Sequence, residues 1–466
     1  MPYLRAGWLC GLWVVWLGTC AVADDRPNIV FLLADDQAWD GLSVAMHPDL
    51  DSSKSSLCET PVLESLARQG MRFSAAYAPS PVCASTRCSL QTGRSAAANH
   101  WTKAGRSVRA TAGHKLIPPQ SIQSLPEEAV TIGEQLQQVG YATAHFGKWH
   151  LRGGGPGKHG YDVHDGDAGN ERAGQFRDPN PVDIFGMAER AEQFMADSQS
   201  REQPFFIQMS WLALHSPENA LEATKRKYGA KARGRAARLA AITEDLDTGV
   251  GRVLAAIDNL GLAENTYVIY MSDNGSGQSG ALRGGKGSVW EGGIRSPLIV
   301  RGPGVAANSW CHVPVVGYDF YPTFCEWAGI DRETLPQSIE GGSLVPVLRD
   351  PVAGKVERAR EELVFHFPHY QASDGPHTAV RDGDWKLIRF DVSGTTRLFD
   401  LSQDIGEQQD LAAEQSDRVE RMIATLDRYL AEVDADRAEP NPRYDPHAPE
   451  PEQRRPGRRR RRRAAR

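Results

Sequence analysis

Two pairs of oxygen-bearing side chains, one of them Asp-Asp and the other Asp-Asn, stand where apolar runs stop. Asp35-Asp36 follows residues 28–34 (NIVFLLA), and Asp273-Asn274-Gly275 follows residues 266–271 with Ser272 between (TYVIYM, then S). The first run is rich in branched residues and bounded by Pro27 and Asp35, as expected of a strand buried on both faces; the second also reads as a strand. Adjacent carboxylates repel. If Asp35, Asp36 and Asp273 meet at neighbouring strand ends, a cation must hold them together, and an all-oxygen donor set selects a hard one, Ca²⁺ or Mg²⁺. Asp and Asn are also ordinary turn and capping residues, so either pair alone has a plainer reading. Cys83 is a further candidate. Of seven cysteines, Cys10 and Cys20 fall in the N-terminal stretch, leaving Cys58, Cys83, Cys88, Cys311 and Cys325. In an oxidising compartment two bridges, most simply Cys58 with Cys88 and Cys311 with Cys325, would leave Cys83 for chemistry; spacing does not fix the pairing.

The elements that must carry these residues alternate. After the first strand come a helix at 61–69 stopped by Gly70, a helix at 131–139 capped by Thr131, a strand at 142–146 and a strand at 204–211. A long amphipathic helix at 239–260 then leads into the 266–271 strand. Strands alternating with helices predict a doubly wound α/β architecture with ligands at the carboxyl ends of the strands. With 466 residues, 40% hydrophobic and 24% charged, the chain can bury a large core.

The ends differ from the body. Residues 1–23 have a basic start, an apolar run from Trp8 to Leu17 and small residues ending Ala21-Val22-Ala23, the layout of a cleaved secretory signal; the run is too short to span a bilayer. An exported protein, periplasmic or secreted, is expected, with no membrane span. Residues 437–466 read as a Pro- and Arg-rich disordered tail whose last thirteen positions hold nine arginines. Without those nine the formal charge falls from −6 to −15, so the body is acidic, which argues against nucleic acid as its partner.

The segment Ser80-Pro81-Val82-Cys83-Ala84-Ser85-Thr86-Arg87, followed by Thr92-Gly93-Arg94, resembles the sulfatase signature CxPxR with TGR, in which the cysteine is oxidised to formylglycine by a formylglycine-generating enzyme. Other blocks follow in family order: Gly147-Lys148-Trp149-His150-Leu151, the lysine loop around Lys286, Arg295 to Arg301, Phe365 to Tyr370, and Gly383 to Ile388. The likeness runs from Arg26 to about Leu411. It departs at Ser85, where the family has proline or, less often, alanine, and at Leu214, before His215, where it more often has proline. Proline would pre-set a backbone that serine leaves free.

The resemblance implies an α/β fold of the alkaline phosphatase-like kind, with a large, mixed, mostly parallel sheet flanked by helices in 24–360 and a smaller antiparallel sheet with a helix in 361–436. It implies hydrolysis of sulfate esters, with sulfated polysaccharides or oligosaccharides as the expected substrates, by a formylglycine diol at position 83. One hydroxyl would attack sulfur, and deprotonation of the other would expel sulfate. Asp35, Asp36, Asp273, Asn274 and residue 83 would hold Ca²⁺, with Mg²⁺ the lesser alternative. Arg87 would hold the diol and metal-side carboxylates, Lys148 and Lys286 would grip sulfate oxygens, and His150 would be the base for elimination. Lys148 and His150, two apart, would share a side in extended backbone. His215 would protonate or bridge to the leaving alcohol. The cluster Phe365 to Tyr370, with His377, splits between core packing and pocket rim, making His366 and His369 candidate substrate contacts. Two alternatives stay open: a phosphoester or phosphonate hydrolase of the same superfamily, and a non-catalytic binder of sulfated glycans that keeps Cys83 as a thiol.

Overall fold

The computed structural model describes residues 25–169, 178–276, 280–371 and 374–449. The signal expected at 1–23 and the arginine run lie outside the described residues, among which no helix is long and apolar enough to cross a membrane.

The 28–34 run forms the central strand Asn28–Ala34, buried at every position. Thr266–Ser272 pairs with it on one side and Phe205–Ser210 on the other, both parallel, and Ala142–Gly147 follows beyond Phe205–Ser210, again parallel. Eight strands make up this sheet, with Val163–His164 at one edge and Leu298–Arg301, Met71–Phe73 and Ser309–Cys311 at the other. Only Leu298–Arg301 runs against its neighbours. The pleat explains the unbroken apolar sequence: Ile29, Phe31 and Leu33 enter one core, Val30, Leu32 and Ala34 the other. Helices cover both faces. Gly234–Asn259 and Ile184–Ser200 pack on one, while Cys83–Thr92, Ile132–Gln138 and Phe320–Trp327 pack on the other.

Sequence patterning locates most of these elements. Pro61–Gln69 has proline in its first turn, and Thr131 closes a reciprocal capping box with Glu134. The long helix begins at Gly234, ahead of the expected 239, because Arg235 and Arg238 extend it on a solvent face where both pair with Glu218. Ile184–Ser200 and Phe320–Trp327 were not expected.

A second sheet, wholly antiparallel, is formed in order by Leu363–Phe367, His377–Asp382, Trp385–Phe390 and Thr395–Asp400. One face packs Val364, Val380, Leu387 and Leu398 on the helix Ser416–Glu432 through Met422, Leu426 and Leu430. The other sets Phe365, Ala379, Ile388 and Phe399 against Tyr77, Val289, Trp290 and Ile294 of the larger layer.

Two expectations fail. All five described cysteines are free thiols. Cys58 packs against the core on one face of the main sheet and Cys88 lies in the core on the other, so the sheet stands between them. The odd-cysteine argument for Cys83 therefore has no structural basis. Nor is 437–449 a free tail: Glu439–Pro440 pairs with Leu116–Ile117, and Asn441 Nδ2 donates to Thr111 O at 2.9 Å and His114 O at 2.7 Å. Its proline-rich composition hides a strap held by backbone pairing and a buried amide.

Candidate active site

Ala34 and Ser272 are partners in register, so the next residues on each strand, Asp35 and Asp273, emerge side by side. Asp36 N donates to Asp273 Oδ1 at 3.2 Å, and Asn274 Nδ2 to Asp36 Oδ1 at 2.7 Å. Asp36 adopts a left-handed backbone, φ 64°, which turns its carboxylate toward Asn274. Lys148 follows the neighbouring parallel strand Ala142–Gly147, and His215 lies beyond Phe205–Ser210. Four adjacent parallel strands thus deliver the candidate residues at their carboxyl ends.

Cys83 opens the helix Cys83–Thr92, every residue of which is buried, and Gly93 closes it at φ 67°. Thr86 Oγ1 donates to Ser80 O at 3.0 Å and Ser80 N to Thr86 Oγ1 at 3.2 Å, which sets the turn presenting Cys83 at the helix amino end. Ser85 is fully buried and its hydroxyl is unpartnered. One turn on, Arg87 donates to Asp273 Oδ2 through Nε at 3.1 Å and Nη2 at 2.7 Å, and through Nη1 to Lys148 O at 2.6 Å. The Lys286 loop completes the enclosure. Gly287 N donates to Pro81 O at 2.9 Å and Gly275 N to Gly293 O at 3.0 Å. A Cβ at Gly275 would lie 2.0 Å from Gly292 O, so glycine is needed where the Asp273 turn and the lysine loop meet.

Charges here are paired but not closed. Lys148 Nζ lies 2.5 Å from Asp35 Oδ2, and Lys286 Nζ 2.5 Å from Asp36 Oδ1. Burial acts to raise the Asp35 pKa, yet Lys148, Lys286 and Arg87 together hold it well below the ordinary carboxylate range. Asp273, desolvated and facing Asp35, is pushed up to about 6. Burial likewise raises the Cys83 thiol, against the pull of Lys148 and Lys286, so an unmodified cysteine here stays protonated. Asp35 Oδ1 and Asn274 Oδ1 are buried with no hydrogen-bond partner. Asp35, Cys83 and Asp273 place ligand atoms within 4.8 Å of one another. Orphaned oxygens beside a carboxylate pair are what a hard divalent cation would use, so the donor set fits one.

His150 is not related to Lys148 as extended backbone would have it. Gly147 at φ 86° and His150 at φ 62° fold the segment, burying Lys148 and leaving His150 exposed. Although part of the residue is open to solvent, the protein packed around its imidazole, and then the charges of Lys148 and Arg87, push its pKa below the usual range. His215 donates through Nδ1 to Ser216 O at 3.0 Å and lines, with Asp36 and Lys286, a cleft of about 750 Å³.

His366 and His369, expected as candidate substrate contacts, lie inside the fold and do not line the cleft. His366 is buried between Thr378 Oγ1 at 2.8 Å and Asp436 O at 2.7 Å, and His369 between Thr102 Oγ1 at 2.8 Å and Ser107 Oγ at 3.3 Å. With both ring nitrogens engaged by protein, neither faces the cleft. His377 is equally internal, accepting from Val289 N at 3.0 Å and donating to Gly375 O at 2.6 Å. The cleft is walled instead by Arg235, Arg283, Trp290, Gln371 and Asp374, which sequence reading did not single out as site residues. Arg283 lies 3.9 Å over the Trp290 ring, whose Nε1 donates to Asp374 Oδ2 at 2.9 Å. For Arg283, Trp290, Gln371 and Asp374 the one signal was position, beside the Lys286 block and the Phe365 to Tyr370 block; Arg235 had none.

The family description "Sulfatase" matches residues 27–330, and "N-sulphoglucosamine sulphohydrolase, C-terminal" matches 285–436. The chain is 30% identical to a sulfatase of Formosa agariphila, over 84% of this chain and 85% of that one. It is also 30% identical to N-acetylgalactosamine-6-sulfatase of Rattus norvegicus, over 70% of this chain and 67% of the relative. The solved structure of Ps i-CgsB with k-i-k-neocarrahexaose superposes with a TM-score of 0.72 at 23% identity, covering 87% of this chain and 93% of that one. The chain belongs to the sulfatase family of sulfuric ester hydrolases.

Proposed function

We propose that this enzyme removes sulfate from sulfated polysaccharides or oligosaccharides, with formylglycine made from Cys83 as its nucleophile and Ca²⁺ as its metal. The observation that carries the reading is the convergence at one helix amino end of Cys83, the donors Asp35 and Asp273, and the cations Arg87, Lys148 and Lys286. Asp35, Asp36, Asp273 and Asn274 would hold the ion, which would supply Lewis acidity and lower the pKa of a coordinated hydroxyl. With the carboxylates neutralised in that way, Lys148 and Lys286 are released to grip the sulfate oxygens, and Arg87 keeps Asp273 and the nucleophile in register. His150, held neutral, accepts the proton from the residue-83 diol that lets sulfate leave, and His215 serves the alcohol oxygen from the cleft side.

Cys83 is 3% exposed in the folded chain and sits in a helical turn. A converting enzyme that reads an extended peptide must therefore act before this segment is buried, and export directed by residues 1–23, which are then cleaved off, belongs to the same reading. Carbohydrate sulfate as substrate rests on the sulfatase relatives and on a solved neighbour that holds neocarrahexaose. The division into 24–360 and 361–436 goes with it. A desulfation screen of defined carbohydrate sulfates, with mass spectrometry of the residue-83 peptide, tests the proposal. Sulfate release that vanishes in Cys83→Ala, with formylglycine at 83, is expected; equal activity in that variant would overturn it.

A further inference from the structure

Among the described residues three lysines are buried: Lys148, Lys386 and Lys103, 5%, 0% and 7% exposed. Two have counter-charges in contact. Lys148 Nζ is 2.5 Å from Asp35 Oδ2, and Lys386 Nζ is 2.8 Å from both Glu291 Oε1 and Glu407 Oε1. Lys103 has only neutral neighbours: its Nζ donates to Gln371 Oε1 at 2.7 Å and Tyr370 O at 3.4 Å, and lies 5.2 Å from the centre of the Phe367 ring. The nearby polar groups add no negative charge: Thr102 and Ser107 are neutral partners of His369, Ser107 donating its own proton to Pro119 O, and desolvation and Lys103 itself keep His369 neutral. Burial alone draws Lys103 down to about 8, with no acid opposing it. Carbonyl oxygens and an aromatic face offset part of the cost of burying an ammonium without neutralising it. The counter-ion of such a group arrives with a ligand or not at all.

Gln371 ties this ammonium to the cleft. It is a wall residue of the 750 Å³ cavity, with Oε1 on Lys103 and Nε2 against Gly287, the neighbour of Lys286; a Cβ at Gly287 would lie 2.7 Å from that Nε2. Lys103, Gln371 and the sulfate-gripping loop are therefore consecutive layers of one wall. Resting on the carbohydrate reading above, we propose that Lys103 and Gln371 form a subsite for a second anionic substituent of the substrate, a sulfate or a carboxylate, beyond the ester that is cleaved. The anion takes the place of the Gln371 carbonyl oxygen on Lys103 Nζ, and the Gln371 amide becomes its second donor. The preferred substrate is then a sugar carrying two negative groups.

Calorimetric binding to the Cys83→Ala chain in Ca²⁺ tests this without turnover. The probes are a hexose monosulfate, the same hexose with two sulfates, and a monosulfated disaccharide containing a uronate. Expected is an affinity about tenfold or more higher for one or both dianionic sugars, a ratio that collapses toward one in Lys103→Met and is largely kept in Lys103→Arg. Which dianionic sugar gains identifies sulfate or carboxylate as the group read. A ratio that Lys103→Met leaves intact, or no preference in the Cys83→Ala chain itself, overturns the subsite while leaving the carbohydrate reading in place. Binding of none of the three sugars, with aryl sulfate hydrolysed by the unmutated chain, sinks the carbohydrate reading and the subsite together. Melting curves of both Lys103 variants separate a lost subsite from a lost fold.

Discussion

Two buried charge clusters, built from the same residue types, are joined by the loop that carries Lys286. In the one behind that loop, Glu291 Oε1 meets Lys386, Glu291 Oε2 accepts from Tyr77 OH at 2.8 Å and Arg295 Nε at 2.6 Å, Glu407 Oε1 lies 2.8 Å from Lys386, and Glu407 Oε2 accepts from Glu291 N at 2.7 Å. Every carboxylate oxygen has a hydrogen-bond donor or a cation in contact, Glu407 Oε1 being held by the Lys386 charge alone, without hydrogen-bond geometry. In the one ahead of it, Asp35 Oδ1 and Asn274 Oδ1 have no hydrogen-bond partner, and the cations contact only part of the acid they face. A closed network has nothing left to bind and serves to lock the small sheet onto the large one. An open network, buried at Asp35, Asp273 and Asn274 but reaching the cleft at Asp36 and Lys286, keeps its unmet valence for a ligand.

If that contrast holds, substitutions in the two clusters will fail in different ways. The largest effect is expected for Cys83→Ala in the open cluster: turnover falls by at least about a thousandfold while urea denaturation moves little. Loss of folding in that variant would mean the open cluster is structural too. Next is Lys386→Met in the closed cluster, which strands two buried glutamates and should cost about 3 to 5 kcal/mol in urea denaturation. A wild-type midpoint would refute closure.

Metal linkage sharpens the comparison further. Ca²⁺ at about 100 times its Kd should add about 2.7 kcal/mol, read as a higher melting temperature that a chelator reverses. The gain should disappear in Asp273→Asn, and a gain that survives there would place the ion elsewhere. The smallest effect concerns His366, whose buried imidazole is depressed to about 4 by desolvation. Its folded pKa lies below the unfolded value, so its contribution is present above about 6.5 and lost as pH falls toward 4. Between about pH 6.5 and about pH 5 this amounts to about 1.5 kcal/mol, absent in His366→Gln, with turnover on aryl sulfate at neutral pH as the control for an internal residue.

Much of the site was legible because short blocks carry it. The apolar run before Asp35 and the one before Asp273 announce buried strands, and Cys83, Arg87, Lys148 and Lys286 stand in contiguous motifs. Legibility stopped where a residue's partner is distant in the chain. Lys103 meets Gln371 across 268 positions, and His366 meets Asp436 across 70. Nothing local separates a histidine on a cleft rim from one sealed between two acceptors. The five cysteines misled for the same reason, since their number says nothing about which face of a sheet each occupies.

The amino-acid sequence by itself determined the strand-and-helix alternation, the family, and the residue types gathered for an oxyanion and a hard cation, because pleat periodicity, caps and motif spacing are local properties of the chain. Tertiary structure alone decided that Ala34 and Ser272 lie in register, that Gly275 meets Gly292 backbone to backbone, and that Lys386 is neutralised while Lys103 is not. Those outcomes depend on which surfaces pack together, and burial charges a free-energy cost that only the assembled neighbours can offset.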